Sequence, residues 1–198
     1  MEELKKRLKG CINIQDSLQK QMTVAGIVSQ AFKKYNLTPV VVGGLAVEFY
    51  TLSNYLTRDI DMVIPGDQYA NEVMLELGFR KRGSTWIFSE DPTIIVDFPG
   101  SPLGGSWDKV LPVELDSGDI VYVISIEDII VDRILAVKYW GDSEEWAQYM
   151  MAAYYDDIDW EYCFKRADKE LCLDGLEKMK KWSAEHHEAF YCGQVEKK

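Results

Sequence analysis

The stretch DIDMVI, Asp59 to Ile64, alternates carboxylates with apolar side chains over the length of one β-strand. Successive strand residues point to opposite faces, so Ile60, Met62 and Ile64 line one face. Asp59 and Asp61 share the other, roughly 6–7 Å apart along the chain. The apolar face calls for a core, and the acidic face calls for a cation. Two neighbouring carboxylates repel, and burying either one unpaired is costly. In a chain with a formal charge of −11, placing two of its negative charges side by side is a strong constraint.

The surrounding pattern is that of a small α/β unit. Apolar residues recur at helical spacing through residues 2–35 (Leu4, Leu8, Ile12, then Val24, Ile27, Val28, Ala31, Phe32), with Gly10 as an interruption. The sequence PVVVGG predicts a short buried strand stopped by Gly43 and Gly44, and a helix follows over Leu45–Leu52. GDQYANEVMLELGF predicts another helix, with Val73, Met74 and Leu77 on one side and Gly78 as its stop. TWIFS and TIIVDF read as an antiparallel pair, SPLGGSWDKVLP as a loop and IVYVIS as a further strand. From Ser125, SIED predicts a capping box in which Asp128 reaches back to the serine backbone. Helical, aromatic-rich sequence then runs to about Ala189, broken at WGDSEE and DDIDW. The expected organisation is an N-terminal helical segment (1–35) packed on an α/β core (36–125), followed by a C-terminal helical region (126–198).

Composition narrows the function classes. The hydrophobic share of 47% and charged share of 28% fit an ordinary globular protein. Apolar runs are strand-sized and the N-terminus MEELKKRLKG lacks an apolar signal region, so a cytoplasmic protein without a membrane span is expected. An acidic average argues against gripping long DNA or RNA by its phosphates. The compact basic run FRKRGSTW reads first as a solvated turn between helix and strand, with a local RNA contact as the alternative. Cys11, Cys163, Cys172 and Cys192 lack metal-ligand spacing and read as reduced thiols; His186 and His187 read as solvated histidines on a charged helix. Trp140, Trp146, Tyr154, Tyr155, Trp160 and Tyr162 read as helix-packing core.

Two features sharpen the acidic strand. Gly43-Gly44, between a strand and a helix, let backbone approach a ligand closely and leave helix amides facing a phosphate. Asp97 sits inside the apolar strand IIVDF, where it needs a partner. A third carboxylate from a neighbouring strand would complete a cradle for Mg²⁺, which takes a few carboxylate oxygens and fills its shell with water and substrate phosphate. It could also take a proton from an attacking hydroxyl.

The order Val42-Gly43-Gly44, then Asp59-Ile60-Asp61-Met62, then Val96-Asp97-Phe98 resembles the nucleotidyltransferase fold of the DNA polymerase β superfamily. The longer spacing from glycines to DxD is similar to the branch holding the AbiEii-type toxins and related bacterial and archaeal nucleotidyltransferases. The resemblance covers about Thr38 to Trp160. It implies a small mixed sheet flanked by helices with a helical extension. It further implies transfer of a nucleoside monophosphate from an NTP such as ATP or GTP to a hydroxyl, with Mg²⁺ or Mn²⁺ as cofactor. Asp59, Asp61 and Asp97 would be the catalytic and metal-binding residues, and Gly43, Gly44, Arg58 and Arg133 would bind the nucleotide. Strand parity points Arg58 away from Asp59 unless the strand begins there, and an ion pair is an equal reading of Arg133. The acceptor stays open among a protein, an RNA end and a small molecule such as an aminoglycoside, and an antitoxin protein is the implied partner. Two alternatives stand beside the enzyme: a catalytically silent nucleotide- or metal-sensing module, and an acidic protein-interaction domain.

Overall fold

The computed structural model describes residues 1–66 and 68–195, with the side chains beyond residue 188 left out. The chain divides into two compact units, Met1–Ile124 and Ser125–Lys198. No helix among the described residues is long and apolar enough to cross a membrane.

The first unit is built on a seven-stranded mixed sheet of order β3-β4-β5-β2-β1-β7-β6. The strands are β1 (Val40–Val41), β2 (Asp59–Val63), β3 (Phe79–Arg82), β4 (Thr85–Phe88), β5 (Ile95–Asp97), β6 (Leu111–Glu114) and β7 (Ile120–Val123). β2 runs parallel to β5 and antiparallel to β1, while β1 runs parallel to β7. One face carries Ile60, Met62, Val96, Trp86, Phe88 and Phe79, all buried. The helices of this unit are α1 (Glu2–Gly10), α2 (Ser17–Phe32), α3 (Gly43–Tyr50) and α4 (Ala70–Leu77). α2 is apolar nearly all round, with Val24, Ile27, Val28 and Phe32 buried, as a helix packed on a sheet must be. Gly26 lets it approach closely: a Cβ there would stand 3.2 Å from Asp119 and from Leu115.

The N-terminal helices are tied down by a buried carboxylate. Asp119, at the start of the β7 hairpin, pairs with Arg7 of α1, accepts from Gln30 of α2 and accepts from Ser117 at 2.8 Å. Asp119 is 2% exposed, so each partner offsets its desolvation.

Two strands depart from the sequence expectation. FRKR is not a solvated turn but strand β3, at one edge of the sheet and paired antiparallel with TWIF. Leu111 and Pro112, the end of the run expected as loop, open the other edge strand β6, where Pro112 is tolerated because edge residues need not donate to a ladder.

The second unit holds α5 (Ile126–Trp140), α6 (Glu145–Ala153), α7 (Trp160–Lys169) and α8 (Leu173–Val195). Ser125 caps α5 by accepting from the Asp128 amide at 3.1 Å. The Asp128 carboxylate accepts from the Ser125 hydroxyl (3.0 Å), Tyr162 (2.8 Å) and Arg166 (3.2 Å), cross-linking α5 to α7. Burial and the Asp128 carboxylate both push the Tyr162 phenol well up. The aromatic expectation is corrected here too. Trp140 is 78% exposed, and Trp146, Tyr154, Tyr155, Trp160 and Tyr162 are only half-buried. His186 and His187 are not freely solvated either, since their rings stack on Trp182 and Tyr155. Cys11, Cys163 and Cys172 are free and buried; the Cys192 side chain lies outside the described residues.

Candidate active site

Strand pairing sets the geometry of the acidic face. β2 and β5 run parallel with Asp61 beside Asp97 and Asp59 beside Ile95. Directly paired residues project to one face. Asp59, Asp61 and Asp97 therefore emerge together, all half-buried, opposite the buried Ile60, Met62 and Val96.

Gly43 and Gly44 close the site from the β1 side. Gly43 opens α3 with φ +55°, and a Cβ on it would fall 2.3 Å from Asp61 Oδ2. The Gly44 amide donates to that same oxygen at 3.3 Å. A Cβ on Gly44 would meet Thr57 Oγ1 at 2.6 Å, and that hydroxyl donates to Asp59 Oδ1 at 3.1 Å. The glycine pair is thus needed for close approach to both acidic residues of β2.

Each of the three carboxylates accepts from a local donor. Asp97 Oδ1 accepts from the Phe98 amide at 3.0 Å. Among the described residues no three His, Cys, Asp or Glu side chains are gathered tightly enough to hold an ion as they stand. Two unit charges at the roughly 6–7 Å of alternate strand positions repel by about 2–3 kcal/mol at an effective dielectric of 20. The donor set nonetheless fits a hard divalent cation. It is all oxygen and spans two adjacent strands at one register, the ligand type that Mg²⁺ takes.

β2 begins at Asp59, and the exposed Arg58 lines a cavity of about 630 Å³ with Lys20, Gln21, Thr57 and Ile60. None of the three carboxylates lines that cavity. Arg133 belongs to the second unit, where its guanidinium pairs with Asp132 at 2.6 Å and Asp142 at 3.6 Å.

One supporting residue escaped the sequence reading. Glu48 of α3 is fully buried, and its Oε2 accepts from the Thr57 amide at 2.9 Å and Gln21 Nε2 at 3.4 Å. It anchors the Thr57 segment that in turn holds Asp59. Burial pushes the Glu48 carboxyl up, against the lowering effect of those two donors. Glu48 Oε1 and Gln21 Oε1 lack hydrogen-bond partners. A carboxyl raised in the fold binds its proton more tightly folded than unfolded. Its stability contribution is therefore present in acid and lost as pH rises through the raised value. Glu48→Gln removes that loss, keeps an acceptor for Thr57, and supplies a donor for Gln21 Oε1. It is expected to raise Tm at neutral pH by about 2–4 °C, for a gain of about 1 kcal/mol. The advantage should shrink as acid protonates Glu48. Melts of both proteins at neutral and acid pH test this, and a less stable variant at neutral pH would refute it.

No protein-family model and no curated protein matches the sequence. Solved structures do match the fold. An antigenic nucleotidyltransferase-like protein from Paracoccidioides brasiliensis aligns with TM-score 0.50 and 18% identity, covering 69% of this chain and 76% of that one. The antibiotic-resistance factor ANT(2'')-Ia aligns in its solution structure with TM-score 0.47 and 14% identity, over 91% of this chain and all (100%) of that one. Its crystal structure in complex with adenylyl-2"-tobramycin aligns with TM-score 0.45 and 17% identity, over 83% and 94% of the two chains. Together with the glycine pair leading into α3 and carboxylates on adjacent parallel strands, the alignment with the Paracoccidioides protein identifies the fold of this chain as that of the nucleotidyltransferases.

Proposed function

We propose that the protein transfers a nucleoside monophosphate from an NTP to a hydroxyl acceptor. The observation that carries this reading is the pairing of Asp61 with Asp97 across parallel strands, on the face that Asp59 shares. Asp59, Asp61 and Asp97 would hold a divalent cation, Mg²⁺ or Mn²⁺, which when bound supplies positive charge against the triphosphate and the departing pyrophosphate.

The chain's own groups divide the remaining work. Gly43 and Gly44 keep the start of α3 bare, so phosphate oxygens can approach its backbone amides. Thr57 and the Gly44 amide fix the orientations of Asp59 and Asp61. Asp97 stands beside Asp61, and in this reading it receives the acceptor proton. The acceptor oxygen attacks the α-phosphorus, a new P–O ester bond forms, and the bond to the bridging oxygen of the β-phosphate breaks. Pyrophosphate leaves with the bonding electrons, and the proton passes through Asp97 to solvent. Arg58 and Arg133 are kept as nucleotide contacts only within this proposal. A toxin role with a paired antitoxin, and a cytoplasmic setting, rest on the sequence resemblance and composition alone.

Incubation with each of the four α-labelled NTPs and Mn²⁺, following pyrophosphate release and labelled product, tests the reading. Release with at least one NTP, lost in Asp97→Asn, is expected. Binding of NTP with no pyrophosphate from any of the four would favour the sensing module instead.

A further inference from the structure

The basic run Arg80-Lys81-Arg82 plays no part in the chemistry above, yet strand register connects it to the carboxylates. Arg82 pairs with Thr85, Thr85 with Asp97, and Asp97 with Asp61. One residue pair along, Arg80 pairs with Ile87, Ile87 with Ile95, and Ile95 with Asp59. Each row of directly paired residues projects to a single face. Arg80 and Arg82 therefore share the face of Asp59, Asp61 and Asp97. The other face agrees with this parity, since Phe79, Trp86, Phe88, Val96 and Ile60 are buried there. Lys81 goes with them, its Nζ 5.3 Å from the Trp86 ring centroid.

Position along the rows separates the two ends of the site. Gly43 and Gly44 crowd Asp61 from the β1 side, where the NTP phosphates would sit. Arg82 lies two strands beyond Asp97 in the opposite direction, roughly 10 Å at ordinary strand spacing. A hydroxyl arriving at Asp97 from the β3 side passes Arg82 and Arg80, both exposed. Guanidinium groups match phosphate oxygens in geometry as well as charge.

We propose that Arg80 and Arg82 bind phosphates of the acceptor, which makes the acceptor the hydroxyl-bearing end of a phosphodiester chain. This rests on the transfer reading above and names its substrate class. The net charge of −11 confines the contact to this patch, so the protein grips an end rather than a long tract.

The test uses fluorescence anisotropy with a short labelled single-stranded oligoribonucleotide and the oligodeoxyribonucleotide of the same sequence, each with a free 3′ hydroxyl. The full chain is compared with Arg80→Gln/Arg82→Gln and with Lys81→Gln, and calorimetry measures binding of the four Mg·NTPs in parallel. Wild type should bind at least one probe, and the two arms distinguish an RNA end from a DNA end. The double variant should lose about tenfold or more in affinity, with a salt-dependence slope shallower by about two. Lys81→Gln and Mg·NTP affinity should be unchanged. The assignment is overturned if wild type binds neither probe, if the double variant binds as tightly as wild type, if Lys81→Gln weakens binding equally, or if the loss falls on Mg·NTP. Failure of wild type to bind any of the four Mg·NTPs would instead strike the transfer reading itself.

Discussion

Replacing Asp59 and Asp61 together by asparagine should remove nucleotidyl transfer, by at least about 10³-fold or roughly 4 kcal/mol of transition-state stabilisation. The same change should leave the fold slightly more stable when no divalent cation is present. Both effects follow from one arrangement. The two carboxylates project to one face and repel, Asp59 accepting from Thr57 and Asp61 from the Gly44 amide. Their half-exposure and solvent screening reduce the relief to about 1 kcal/mol. Thermal melts with and without Mn²⁺ separate the terms. Wild type should gain stability from the ion, and the double variant should start higher and gain nothing. A variant that melts lower in chelator would show that the carboxylates are structural.

Gly43→Ala should be the most damaging single methyl added to this protein. With φ +55°, any other residue pays about 1–2 kcal/mol in backbone strain. The new Cβ would also fall 2.3 Å from Asp61 Oδ2 and 3.0 Å from its Cγ, forcing the carboxylate to turn. Stability should fall by about 2–3 kcal/mol and transfer by about 10²-fold, because a displacement of about 1 Å in a catalytic group has that scale of effect. Gly10→Ala, where the backbone is helical and a Cβ meets nothing within 4 Å, is the control: activity should be unchanged and stability up by about 0.4–1 kcal/mol. Equal activity in Gly43→Ala and wild type would mean that Asp61 is not held where the reaction needs it.

What could be read in the sequence follows physical lines. β2 was legible because its alternation is strict and its apolar face is fully buried at Ile60 and Met62. β5 was legible as a short apolar strand carrying one carboxylate, and the stop of α4 was legible in Gly78, which takes φ +94°. The edge strands were not. β3 buries only Phe79 and then runs through three exposed cations, so it carries no alternation to read. β6 contains a proline and buries none of its residues fully. That omission hid the most useful consequence of the sheet, because the face of Arg80 and Arg82 is defined only once β3 is paired. Glu48 was hidden for another reason. A lone glutamate on a short helix usually points to water, and only the packing of Gln21 and the Thr57 segment around it shows that it does not. The aromatic residues of α5 to α7 misled in the opposite sense, as hydrophobicity alone did not decide that Trp140 faces outward.

In the proposed reaction Asp59, Asp61 and Asp97 share a divalent cation on the face of the sheet from which they project together. Crystals grown with Mn²⁺ and a non-hydrolysable NTP analogue test it through anomalous scattering. The account predicts a peak within coordination distance of Asp59 and Asp61, with Asp97 turned from the Phe98 amide toward it. A peak at another place, or none beside a bound nucleotide, would contradict it.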